Sequence, residues 1–143
     1  MSAGETVHAT CVSIGGRAVL LTGKSGAGKS DLALRLIDRG AVLVSDDYTL
    51  VAPSAGRLLA EAPETIRGRI EVRGIGIVHA AAEAAVPVCL IAELARLVER
   101  LPDAPEIRTM AGVQIPAVAI SALEASAPIK VELALQLFGL PPP

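Results

Sequence analysis

Residues 23 to 30 read Gly23-Lys24-Ser25-Gly26-Ala27-Gly28-Lys29-Ser30, a fit to G-x-x-x-x-G-K-[ST]. These residue types suit a triphosphate. Glycines let the main chain come close and point its N–H groups at phosphate oxygens. Lys29 offers a point charge to the β- and γ-phosphates, and the Ser30 hydroxyl offers a ligand to Mg²⁺. A helix that begins at Lys29 aims its positive end at the same anions. The loop therefore predicts a bound nucleoside triphosphate with Mg²⁺.

Other residues decide what is done to that triphosphate. Asp46 and Asp47 close the first strand after the loop and its helix. A carboxylate there positions Mg²⁺ or takes the proton of an attacking hydroxyl; the plainer reading is a polar turn. Glu71 is a lone acid in an apolar segment beside Arg73, and the plainer reading is a solvent-facing strand residue or a same-face pair with Arg73. His8 and His79 are isolated, which usually means a satisfied or exposed imidazole. Arg100 follows Glu99 near a chain bend, where most arginines are simply solvated.

The elements around these residues follow from period and punctuation. "VHATCVSIGGRAVLLTG" reads as two strands turning at Gly15-Gly16, the second central because it is almost continuously apolar. Lys29 to Arg39 reads as a helix with Leu32, Ala33, Leu36 and Ile37 on one face, an Asp31–Arg35 pair on the other and Gly40 at its end. "AVLVSDD" is a short buried strand, and "YTLVAPSAGRLLAEA" a hairpin turning near Pro53 to Gly56. "ETIRG" is a helical turn at most. "IEVRGIGIVHA" is strand-like, with Gly74 and Gly76 marking a bulge or a close approach. "VPVCLIAEL" and "VQIPAVAIS" are strands, the latter an edge by virtue of Pro116. "ARLVERLP" is irregular or one turn, stopped by Pro102. "APIKVELALQLFG" is a closing helix, and the "PPP" tail is expected to fray.

Bulk properties narrow the class. A chain of 143 residues, 52% apolar and 20% charged, suits a single packed domain over residues 1–143. Its net charge of -2 gives no basic stripe, and a single Tyr and a single Phe give no stacking platform, which argues against nucleic acid. No apolar run reaches the roughly 20 residues of a membrane span. The N-terminus has no signal-peptide pattern, and Cys11 and Cys89 stand alone without metal spacing. Buried thiols in a reducing cytoplasm are the simplest account.

Taken as a set, these segments resemble the catalytic domain of HPr kinase/phosphorylase, from about His8 to Phe138. His8 precedes Gly23 as the family's histidine precedes its phosphate loop. "LVSDD" is similar to the family's "ADD" strand end, "IEVRGIGIVHA" to its signature "LEIRGLGIINV", and "VERLP" to its "DRLG". The resemblance implies an α/β P-loop kinase domain with a mixed sheet, similar to phosphoenolpyruvate carboxykinase. It implies Mg²⁺ and ATP as cofactors, HPr as the protein partner phosphorylated on serine, inorganic phosphate for the reverse phosphorolysis, and a homo-oligomer, often a hexamer. By the same resemblance Asp47 is the general base, Lys29 and Ser30 hold phosphates and Mg²⁺, Glu71 is a metal-site carboxylate, and His8 and Arg100 contact the transferring phosphoryl group. The chain departs twice from the pattern. His8 comes almost at the start, as in short forms without the N-terminal domain. The family's basic "VPVRPGRN" is here "ISALEASAP", which has no arginine, so reversal is expected to be weak. A P-loop kinase for another acceptor, or a nucleotide sensor without catalysis, are the alternatives; the sensor would need neither Asp47 nor Glu71.

Overall fold

Residue patterns of period two and period 3.6 alternate along the chain, and the computed structural model, which describes residues 4–95, 97–100 and 104–143, shows the elements they form. In order these are β1 (Glu5–Val7), β2 (Ala9–Ile14), β3 (Arg17–Thr22), α1 (Lys29–Asp38), β4 (Val42–Ser45), β5 (Thr49–Ser54) and β6 (Arg57–Glu61). A 3₁₀ turn (Glu64–Ile66), β7 (Arg69–Val72), β8 (Gly76–His79), β9 (Val86–Leu94), β10 (Glu106–Met110), β11 (Val113–Ile120) and α2 (Ala127–Phe138) follow.

Among the described residues nine strands form one mixed sheet along the path β1-β5-β6-β9-β3-β2-β4, with β11 also on β9 and β10 on β11. β3, β9 and β11 run parallel, while β2 is antiparallel to both β3 and β4. One edge of β9 is divided: Val86 and Pro87 pair with β6, whereas Ile91 to Leu94 pair with β11. The sheet therefore curls and buries both faces. Val19 and Leu21 of β3 point into a core shared with Leu32 and Leu36 of α1 and Val131 and Leu135 of α2. The alternating Ala18 and Leu20 point into a second core with Val51, Leu58 and Ile115.

α1 ends as its sequence predicts. Gly40, at φ 109°, donates its N–H to Ile37 O, and Ala41 donates to Leu36 O, the paired bonds of a Schellman cap. Asp31 and Arg35 pair at 3.1 Å on its outer face. Arg39 grips both carboxylate oxygens of Glu132 and so ties α1 to α2.

Four expectations change. The first strand breaks at His8, because β1 leaves β2 to pair with β5. "IEVRGIGIVHA" is a separate two-stranded hairpin, β7–β8, whose tip holds Gly74. β11 is not an edge: β10 covers it, and Pro116 sits opposite Ile107, just before the pairing with β9 begins at Ala117. The tail is held at its start, at Leu140 and Pro141. Arg17 donates to Leu140 O at 3.2 Å through Nε, Arg57 donates to Pro141 O at 2.7 Å, and Leu140 N–H donates to Cys89 O at 2.9 Å. Leu97 to Arg100 carry no regular structure, and Arg96, Leu101 and Pro102 of the "ARLVERLP" segment lie outside the described residues.

Candidate active site

The topology brings the chemistry to one edge of the sheet. β3 ends at Thr22, opposite Ala9 at the start of β2 and Glu93 near the end of β9. β4 ends at Ser45, opposite Cys11, and Leu94 faces Ile120 at the end of β11. The phosphate loop thus leaves the sheet edge with the 46–48 turn on its β4 side and the segment after β11 on its other side. Outside the carboxyl ends of such strands is where α/β sheets bind ligands.

Gly28 caps α1 with φ 98°, a left-handed conformation that a side chain would strain. Lys29 then folds back over the loop. Its ammonium, on a residue only 6% exposed, donates to Gly23 O at 2.9 Å and Lys24 O at 3.0 Å. No carboxylate pairs with it among the described residues. A buried cation held only by neutral carbonyls is an unfilled electrostatic demand, and an anion at the helix N-terminus meets it.

The two aspartates divide. Asp46 is buried, 8% exposed, and both its carboxylate oxygens accept hydrogen bonds. Oδ1 accepts from Ser30 Oγ at 2.5 Å and from Thr10 Oγ1 at 3.1 Å, and Oδ2 accepts from the Glu71 N–H at 3.0 Å. Asp47 points outward. It sits at φ 69° in a three-residue turn closed by Tyr48 N–H to Asp46 O at 2.8 Å. Such a backbone is costly for a non-glycine residue, and strain of this kind gathers at functional sites. Asp47 N–H donates to Thr10 Oγ1 at 3.1 Å, so one threonine hydroxyl links both aspartates. Asp47 Oδ1 lies 2.9 Å from His8 Nε2, and the imidazole stacks on Tyr48 with ring centroids 5.2 Å apart.

The sequence-predicted residues are therefore not all gathered. Gly23 to Ser30, His8 and Asp47 share the sheet edge. Glu71 touches the site through its main chain, with its side chain exposed on β7. Arg100 lies in an exposed bend, with no hydrogen bond or ion pair to the others among the described residues. His79 faces solvent on β8. Sequence reasoning assigned no separate role to Asp46, Thr10 or Tyr48. The doubled aspartate was the signal for Asp46; nothing in the chain's order points to Thr10.

Comparison with known proteins places the chain. Residues 1–134 match the family model described as HPr Serine kinase C-terminal domain. The HPr kinase/phosphorylase of Caldicellulosiruptor bescii is 51% identical over 73 residues, covering 50% of this chain and 24% of that one. The Mycoplasmopsis pulmonis protein of the same name is 44% identical over 72 residues, covering 50% and 23%. The matched segment is thus about a quarter of these curated relatives' length. Among solved structures, the Hpr(Ser) kinase/phosphatase from Coxiella burnetii superposes with a TM-score of 0.82 at 27% identity, covering 92% of this chain and 88% of that chain.

Proposed function

The chain belongs to the HPr serine kinase C-terminal domain family, and from that premise we propose that it transfers the γ-phosphoryl group of ATP to a serine of HPr. The observation that carries the reading is the split of the aspartate pair around the phosphate loop. Asp46 turns inward to Ser30, and Asp47 turns outward to His8.

Each half has a task. Ser30 spends its proton on Asp46, which leaves its oxygen lone pairs free. A hydroxyl and a carboxylate are the hard oxygen donors that Mg²⁺ selects, with phosphate oxygens and water completing its shell. Among the described residues no cluster of three or more His, Cys, Asp or Glu could hold a metal unaided, which fits an ion that arrives with the triphosphate. Ser30 and Asp46 would hold Mg²⁺ there, and the ion would neutralise phosphate charge. Lys29 and the loop N–H groups hold the phosphate oxygens and stabilise charge that develops on transfer. Asp47 keeps Oδ2 without a partner among the described residues, and that oxygen takes the proton of the acceptor serine. His8, on Oδ1, fixes the carboxylate's orientation, and Tyr48 fixes the imidazole.

Phosphorolysis asks more of the site, because inorganic phosphate adds a further anion. The segment after β11 supplies no arginine, and Lys130 Nζ is committed to Glu124 Oε1 at 3.1 Å. This supports a forward kinase whose reverse reaction is slow.

Calorimetry with Mg-ATP tests the premise. The unaltered chain is expected to bind, and Lys29→Ala to lose most of that affinity. Equal affinity in the two proteins would refute the phosphate-loop reading.

A further inference from the structure

Strand order fixes which side of the phosphate loop each group occupies. β2 and β4 lie on one side of β3, and they bring His8, Asp46 and Asp47. β9 and β11 lie on the other side. There the ends of these two strands and residues 121–123 enclose, with the outer flank of the loop, a cavity of about 390 Å³. Lys24, Ala27, Leu94, Ala95, Ser121 and Leu123 line it.

In-line phosphoryl transfer places the entering and leaving oxygens on opposite faces of phosphorus. With the acceptor's base on the β4 side, the leaving diphosphate and its nucleoside must exit toward β9. We infer that this cavity holds the nucleobase and sugar of the donor nucleotide, and that it discriminates weakly between purine bases. The inference rests on the phosphoryl-transfer reading above and specifies its donor subsite.

The lining explains the selectivity. Ala27, Leu94 and Leu123 offer apolar contact to the faces of a base. Among the described residues that line it, Ser121 is the one neutral polar side chain available to a base edge. A pocket without side chains built to hydrogen-bond an edge rejects analogues poorly. Lys24 stands at the loop, suited to sugar and phosphate oxygens.

The wall is also fixed before a ligand arrives. Arg35 of α1 donates to Ala122 O at 2.5 Å and to Glu124 O at 3.1 Å. Ala95 N–H donates to Ile120 O at 3.0 Å, and Glu124 N–H to Ser121 O at 3.3 Å. A Cβ placed on Gly28 would come within 3.4 Å of Ala122 Cβ, so the segment abuts the phosphate loop itself. Such bracing lowers the ordering cost of binding. Leu123 is left 91% exposed beside the cavity.

The test is calorimetry of Mg²⁺ complexes of ATP, GTP and inorganic triphosphate with the unaltered chain, Leu123→Ser and Ala95→Phe. Leu123→Ser removes exposed apolar surface alone and keeps the fold. It is expected to weaken ATP and GTP by about 3- to 10-fold, the size of a partial leucine contact, while triphosphate binding stays unchanged. Ala95→Phe fills the cavity and is expected to cost ATP more than Leu123→Ser does, again sparing triphosphate. In the unaltered chain, ATP and GTP should bind within about 10-fold of each other. ATP affinity unaltered in both variants, or ATP and triphosphate weakened equally, would overturn the assignment; so would a strong preference for one purine, for its second part. Failure of triphosphate to bind the unaltered chain would instead remove the phosphate-loop reading, and this subsite with it.

Discussion

At the scale of single residues, the account turns on two neighbouring carboxylates with opposite surroundings. Asp47→Asn keeps the shape and the His8 contact but removes the base. Phosphoryl transfer is expected to fall by roughly 10²- to 10⁴-fold with ATP binding retained. Asp46→Asn should act differently, raising the Mg²⁺ concentration for half-maximal rate because its carboxylate serves Ser30. The same titration on Glu71→Gln asks whether that exposed side chain reaches the metal at all; a curve identical to the unaltered chain's would return Glu71 to a strand residue. The sequence announced the doubled aspartate but not its division. The division is set by Thr10 and the Glu71 N–H, 36 and 25 residues away. Tyr48 is the chain's single tyrosine, and there is no tryptophan, so intrinsic fluorescence reports on the His8 stack alone. A second residue carries a pH effect. Burial pushes the Cys11 thiol far above its ordinary range. Its raised folded pKa means that stability is whole below the unfolded thiol's value near 8.5 and declines as pH rises beyond it. Urea midpoints between pH 7 and pH 10 should fall, and Cys11→Ala, though weaker at pH 7, should lose less over that interval.

At the scale of elements, local chemistry was legible and long-range support was not. The phosphate loop, α1 and its Gly40 cap are contiguous in sequence, so pattern alone located them. β10 escaped notice because "EIRTM" shows no apolar run; it forms because β11 offers it a partner, and Arg108 pairs with Glu93 of β9 at 2.8 Å. The tail escaped because its anchors, Arg17 and Arg57, lie 123 and 84 residues from the groups they hold. Two expectations follow. Gly40→Ala, at φ 109°, should destabilise the chain by about 1 kcal/mol in urea titration. Removal of residues 139–143 should cost about 1–3 kcal/mol, since Arg57 and the Cys89 carbonyl lose partners. An unchanged midpoint after truncation would show that the tail rests on the sheet without stabilising it.

At the scale of the whole molecule, the proposed reading sets acceptor and donor on opposite sides of the phosphate loop along one sheet edge. The curl of the sheet makes this possible, because β9 gives up one edge to β6 and β11 in turn and so frees the segment after β11 to reach the loop. No sequence pattern foretold the cavity there, which three separate stretches of chain assemble. The most direct test of the central claim is to incubate the chain with Mg-ATP and HPr and to read HPr by mass spectrometry, with Asp47→Asn alongside. The account predicts one phosphoserine on HPr with the unaltered chain and almost none with the variant. Nucleotide binding without any phosphoserine, or equal phosphorylation by both proteins, would contradict it.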